Sequence, residues 1–274
     1  MMNQNDLRKL QLTELEILKE IHRICEKNKI QYWLTGGTLI GAIRHTGFIP
    51  WDDDVDIAML RDDYNKFMQV ASSALSDQFY LQNWHTDKKF GQSYSKIRKN
   101  NTILLEAGSE KVEIHHGIFI DIFVYDKYPD NKIDFMKVKF SMQVILRTII
   151  VKCGFTPWKG VDKVSLYWWL YFIPFRFLAK FLKLNKMKDM HEKLVQVANS
   201  TGSKFIFNSC ESDDEKHPIP YEYVSVILKH KFENQEFYIP AGYDKILRIF
   251  YGNYMLLPPK EQREGHHNIV RLKF

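Results

Sequence analysis

The 274 residues carry 39 Lys and Arg against 33 Asp and Glu, a formal net charge of +6, with 45% apolar and 26% charged residues. This is an ordinary globular composition, long enough for one large domain or two small ones, and its positive balance favours an anionic partner. Cys25, Cys153 and Cys210 are too far apart for a redox or metal-ligand pair, which excludes a disulfide framework and fits a reducing compartment. Leu7, Leu10, Ile17, Ile21 and Ile24 recur at helical spacing and predict an opening amphipathic helix through Lys29. The N-terminal stretch Met1 to Leu12 lacks the apolar centre of a signal peptide, so a cytoplasmic location is expected. Tyr32 to Thr35 reads as a short strand, Gly36-Gly37 as a turn, and Thr38 to Arg44 as a short helix. Val55 to Leu60 reads as a buried strand, followed by a helix capped by Asp62-Asp63. Further strands are predicted at 79–82, 94–98, 103–105 and 117–124.

From 131 to about 200 the composition shifts to Phe, Trp, Tyr, Leu, Lys and Arg. Arg176 and Lys180 interrupt the apolar run 165–182 and Pro174 bends it, so it falls short of the roughly 18 uncharged residues of a spanning helix. Two expectations stand side by side: a basic-aromatic helix lying on a bilayer surface, or a helical pair packed on the rest of the protein. Strand-like and helical pieces return from 201 to 274, including Tyr238 to Pro240 and Tyr243 to Tyr251. The basic residues sit among apolar bulk and form no exposed stripe, which argues against nucleic acid as a partner.

The chemistry concentrates in Trp51-Asp52-Asp53-Asp54-Val55-Asp56-Ile57. Four carboxylates in five residues repel one another and call for a cation or ordered donors. Residues two apart on a strand face the same way, so Asp54 and Asp56 project together. Asp121, alone in the apolar run Gly117 to Phe123, is the expected third carboxylate on a neighbouring strand, because an unpaired acid there is costly to bury. Asp54, Asp56 and Asp121 are thus the candidate metal and catalytic residues, and an all-oxygen set suits Mg²⁺ or Mn²⁺. A calcium loop is discarded, since Ile57 stands where glycine is needed and Asp63 where glutamate is expected.

Gly36, Gly37 and Thr38 place backbone N–H groups where a phosphate could bind at a helix N-terminus. Lys96 and Arg98 alternate on one strand face, where they can neutralise a diphosphate. Arg44 either contacts phosphate or balances Asp52 and Asp53, and Asp53 itself joins the substrate-binding candidates.

Gly36 to Arg61, with Gly-Thr-Leu-Ile-Gly-Ala-Ile-Arg-His and Phe-Ile-Pro-Trp-Asp-Asp-Asp-Val-Asp-Ile, resembles the signature of the LicD family, which is related to the fukutin-type transferases. The resemblance continues at Ser95 to Arg98 with Thr102, at Gly117 to Phe123, and at Tyr251 to Met255 with Pro258-Pro259 and His266. It implies an α+β, nucleotidyltransferase-like (polymerase-β-type) mixed sheet flanked by helices. In that arrangement 1–130 is the catalytic core, 131–200 an inserted helical basic-aromatic region, and 201–274 the part that completes the catalytic domain. It also implies transfer of a phospho-alcohol, typically phosphocholine from CDP-choline or a similar CDP-alcohol, to a glycan precursor of teichoic acid, capsule or lipopolysaccharide. The acceptor would then be lipid-linked or polymeric, met at the inner face of the membrane. His266 becomes a substrate-binding candidate on this ground alone. Asn253 stands where the tail motif is expected to carry aspartate, a departure that bears on the choice of alcohol or acceptor. The competing expectations are a nucleotidyltransferase adding NMP from an NTP, and a non-catalytic membrane scaffold.

Overall fold

The computed structural model describes residues 2–157, 165–210 and 218–274. Its elements in chain order begin α1 (Gln4–Asn28), β1 (Trp33–Leu34), α2 (Gly36–His45), β2 (Asp56–Leu60), α3 (Arg61–Ala74), β3 (Phe79–Gln82), β4 (Ser95–Lys99), β5 (Ile103–Glu106) and β6 (Phe119–Lys127). They continue with α4 (Lys132–Lys152), α5 (Ser165–Tyr171), α6 (Ile173–Phe181), α7 (Leu184–Asn199), β7 (Phe205–Asn208), β8 (Ile219–Pro220), β9 (Ile227–Phe232), β10 (Gln235–Pro240), α8 (Tyr243–Tyr251) and β11 (Ile269–Lys273). The α+β class is therefore as expected, with a mixed sheet flanked by helices.

The main sheet runs β1-β2-β6-β4-β3, with β7 joining the far end of β6 and β8 joining β7. β2 and β6 are parallel, and β4 runs antiparallel to β6 on its other side. β6 is buried along almost its whole length, as suits a central strand made of Phe, Ile, Val and Tyr. α1 and α3 pack on the sheet, and Leu10, Ile17, Leu18, Ile21 and Ile24 of α1 are fully buried in this core. Asn3 caps α1, accepting from the Asp6 N–H at 2.8 Å.

α3 departs from expectation at its start. Its N-cap is Leu60, with no side-chain cap, and Asp62 and Asp63 lie in the first turn, where the helix dipole favours them. The helical region after 130 has smaller cores of its own, one where Tyr128, Phe135, Met142, Val195 and Phe207 join α4, α7 and β7. Phe172 and Phe175 are buried in α5–α6, but Leu166, Tyr167, Phe177 and Phe181 are 61–70% exposed. The expectation of helices packed on the rest of the protein is therefore met in part, with an aromatic face left exposed. The predicted stretch before Ser165 lies outside the described residues. Among the described residues no helix is long and apolar enough to cross a membrane.

Candidate active site

Strand register builds the centre of the site. Asp56 pairs with Asp121 across β2 and β6, and Asp121 pairs with Lys96 across β6 and β4. Neighbouring strands lie about 4.8 Å apart, so three charged side chains form a row across one face of the sheet. Lys96 Nζ sits 2.8 Å from Asp121 Oδ1 with both groups buried, and 3.3 Å from the centre of the Phe119 ring. Burial pushes the Asp121 carboxyl above its ordinary range while Lys96 pulls it back. Arg98, two residues along the same face, donates to Gln82 Oε1 at 2.5 Å and to the Gly117 carbonyl at 2.6 Å. Burial lowers its pKa to about 10.

The second half of the site is the loop between α2 and β2. Gln11 of α1 fixes it by donating to the carbonyl of Asp52 at 3.0 Å. Asp53 accepts from the backbone N–H groups of His266 and His267 at 2.8 and 3.3 Å. The His267 ring lies between two carboxylates, with Nε2 3.3 Å from Asp54 Oδ2 and Nδ1 2.8 Å from Glu106 Oε1. Burial disfavours the imidazolium, yet Asp54 and Glu106 outweigh it and hold the His267 pKa well above its ordinary value. Reciprocally, and against burial, His267 draws Asp54 down, and Lys96 and His267 hold Glu106 at about 2.

Asp52 forms no such close ion pair among the described residues. Burial, then Asp54 and Asp53, raise its carboxyl well above the usual range. Glu14 of α1 is buried behind the same loop, raised by burial and by Asp54, and its Oε2 has no hydrogen-bond partner among the described residues.

The glycine pair brings α2 against these carboxylates. Gly36 has φ +58, and a Cβ there would sit 3.2 Å from Asp56 Oδ2. At Gly37 a Cβ would meet Asp52 Oδ2 at 2.8 Å, closer than real Cβ contacts allow. Thr38 Oγ1 accepts from the Asp56 N–H at 2.9 Å, tying the helix to the start of β2. The N-terminus of α2 thus faces Asp52 and Asp56, and its dipole favours negative charge there.

Asp53, Asp54, Asp56, Asp121, Lys96, Arg98, Gly36, Gly37 and Thr38 therefore surround this one region. Arg44 stands at its edge: its guanidinium donates to the carbonyls of Tyr254 and Leu256, at 2.5 and 3.2 Å, which anchors the tail segment, and its charge also acts on Asp52. His266 contributes its backbone N–H, and its side chain is exposed. Asn253 is exposed as well. His267 and Glu106 are the participants that the candidate set lacked. The pair His266-His267 was visible, but which ring turns inward depends on β11 pairing with β5, where Ile269 opposes Glu106.

Among the described residues Asp53, Asp54 and His267 offer ligand atoms all within 4.8 Å of one another. This set shares Asp54 with the expected set of Asp54, Asp56 and Asp121. The residues fit a divalent cation, since burial and the neighbouring carboxylates raise the carboxyl pKa values of Asp52, Asp53 and Glu14, and a bound cation would relieve both. Beside them, a small pocket of about 70 Å³ is lined by Lys96, Arg98, Glu106 and His267, a setting for an anion.

A family profile described as "LicD/FKTN/FKRP, nucleotidyltransferase domain" matches residues 29–145. The chain is 33% identical over 277 residues to the lipopolysaccharide cholinephosphotransferase LicD of Haemophilus influenzae, covering 95% of this chain and 96% of that protein. An uncharacterized protein of Rickettsia typhi is 44% identical over 125 residues, covering 44% of this chain and 35% of that protein. The human ribitol 5-phosphate transferase FKRP is 40% identical over 60 residues, covering 20% of this chain and 12% of that protein. Site and relatives together define a phosphotransferase. The chain belongs to the LicD family.

Proposed function

We propose that the chain transfers a phospho-alcohol, phosphocholine from CDP-choline in particular, to a hydroxyl of a cell-surface glycan precursor and releases CMP. The supporting observation is that one sheet face sets a carboxylate cluster beside the buried Lys96 and Arg98. The choline and the lipopolysaccharide-type acceptor are carried over from the Haemophilus influenzae relative; a teichoic acid or capsule precursor has the same acceptor chemistry.

Asp53 and Asp54, with Asp56 and Asp121 next to them, would hold Mg²⁺ or Mn²⁺, which when bound supplies Lewis-acid polarisation and acidifies a bound hydroxyl. Lys96 and Arg98 neutralise the donor diphosphate, and the α2 N-terminus offers backbone N–H groups to it. His267, held cationic by Asp54 and Glu106, stabilises charge developing on the phosphoryl oxygens. The acceptor oxygen bonds to the β-phosphorus as its proton passes to a carboxylate of the cluster, the bond from that phosphorus to CMP breaks, and CMP leaves with the electron pair. Phosphoryl transfer depends on positioning and charge neutralisation, so no covalent nucleophile is required.

The work site we assign is the cytoplasmic face of the membrane, reached peripherally through the basic, aromatic α5–α6 surface. Purified protein with CDP-choline, acceptor and Mg²⁺ should release CMP. Pyrophosphate release from an NTP instead would favour nucleotidyl transfer, an option that the wording of the family description keeps in view. Absence of both, with no effect of Mg²⁺, would favour a scaffold.

A further inference from the structure

A second, larger cleft of about 600 Å³ opens between α3 and α7, within the roughly 300–1,000 Å³ range of small-molecule sites. Asn65 and Gln69 stand four residues apart on the α3 wall, and Glu192 and Gln196 stand four apart on the α7 wall. Trp84 and Tyr94 also line it. The geometry points to a saccharide subsite, the seat of the glycan acceptor; the acceptor role rests on the phosphotransfer reading above.

Five of the fifteen described lining residues are carboxamides, and only Arg61 and Glu192 carry formal charge. The Arg61 charge is already matched, since its guanidinium grips the buried Asp126 at 2.8 and 2.6 Å. Such a wall has little to hold a phosphate. It does match a neutral polyol, because the exposed carboxamides of Asn65, Gln69 and Gln196 both donate and accept, as each sugar hydroxyl does, while those of Asn83 and Asn199 bond within the protein. Trp84 and Tyr94 add aromatic faces, on which the C–H face of a pyranose packs. Trp84 Nε1 and His191 Nε2 are buried without hydrogen-bond partners among the described residues, and both side chains belong to the lining. The side chains of Asn65, Gln69, Glu192 and Gln196 are exposed, so a chain of sugars can continue outward.

The cleft is also joined to the catalytic pocket. Tyr94, which immediately precedes β4, lines both, and Lys96 Nζ lies 5.4 Å from the Tyr94 ring. Tyr64 and Met68 of the cleft wall meet Ser95, whose side chain faces away from Lys96, so an acceptor in the cleft reaches the row of Lys96, Asp121 and Asp56 around Tyr94.

The test uses the full chain and the Gln69→Ala/Gln196→Ala variant, whose substitutions lie on exposed helix faces. Saturation-transfer NMR with a panel of hexose, heptose and N-acetylhexosamine disaccharides should give signals on sugar ring protons that the variant weakens about tenfold. In the transfer assay the KM for the glycan acceptor should rise about tenfold, with no matching rise in the KM for CDP-choline. Disaccharide signals that the variant leaves unchanged, or that CMP displaces, overturn the proposal, as does a wild type that binds none of them. Sugar binding without CMP release from CDP-choline sinks the donor assignment and leaves the saccharide site standing. CMP release without sugar binding in the cleft does the reverse.

Discussion

Lys96 and Asp121 face each other across adjacent antiparallel strands, 2.8 Å apart and each less than 10% exposed. Removing either partner alone leaves a buried, unmatched charge. Asp121→Asn should therefore destabilise the fold by about 3–5 kcal/mol as well as cutting activity severely. Lys96→Met/Asp121→Asn should recover most of that stability and none of the activity. Thermal unfolding with turnover checks this; an Asp121→Asn protein as stable as wild type would mean that the pair does not form.

In the loop, Asp54 and Asp52 should respond oppositely to neutralisation. Asp54→Asn removes the partner of His267 and one cation ligand, so turnover should fall at least about a hundredfold and the apo protein should lose stability. Asp52→Asn removes a carboxyl raised by burial and by Asp54, so the apo melting temperature should rise by about 2–4 °C for each 1 kcal/mol of relieved repulsion. Differential scanning fluorimetry without metal separates the two. Equal shifts of the same sign would contradict the pairing of Asp54 with His267.

A pH effect follows from Asp126, which is fully buried. Burial opposes its charge, but Arg61, Ser209 and Asn199 hold its pKa below the ordinary value. A depressed folded pKa gives stability that is present above the unfolded value of about 3.9 and lost as pH falls through the folded one. Asp126→Asn should thus be about 3–5 kcal/mol less stable than wild type at pH 7. The gap should narrow below about pH 4 in urea unfolding series. A gap independent of pH would show that the carboxylate charge is not what Arg61 uses.

The exposed face of α5 and α6 combines Leu166, Tyr167, Phe177 and Phe181 with Arg176, whose guanidinium lies 5.2 Å from the Trp169 ring. Lys180 and Lys183 are exposed nearby. Each basic residue near an anionic surface adds about 1 kcal/mol, screened by salt. Replacing Arg176, Lys180 and Lys183 by Gln should move the protein from the pellet to the supernatant with anionic vesicles at low salt, while donor turnover persists. A wild type that never sediments would leave this surface without a bilayer role.

Local pattern carried the sequence reading where the chemistry was local. Asp54 and Asp56 alternate before an apolar run, and Asp121 stands alone in one, so strand period and burial cost were enough to pick them out. Lys96 and Arg98 were legible as a face, but their partners were not, because Asp121 and Gln82 reach them only through strand pairing. Glu106 and the inward turn of the His267 ring were not legible: nothing in either segment announces that β5 and β11, some 160 residues apart, share a register. Arg44 sat beside the acidic run in sequence, yet the helix turned it toward Tyr254 and Leu256.

The pairing of β11 with β5 makes assembly of the centre a long-range event. The His267 ring between Asp54 and Glu106, and the two backbone donors to Asp53, all come from the segment that leads into β11. Until that strand docks, the loop carries its carboxylates without their neutralising partners, and loop-closure entropy over that distance makes docking late. Unzipping a single edge strand would then disarm the enzyme while the main sheet stays folded. Hydrogen exchange at the β5–β11 amides should therefore track the active fraction more closely than exchange in β6.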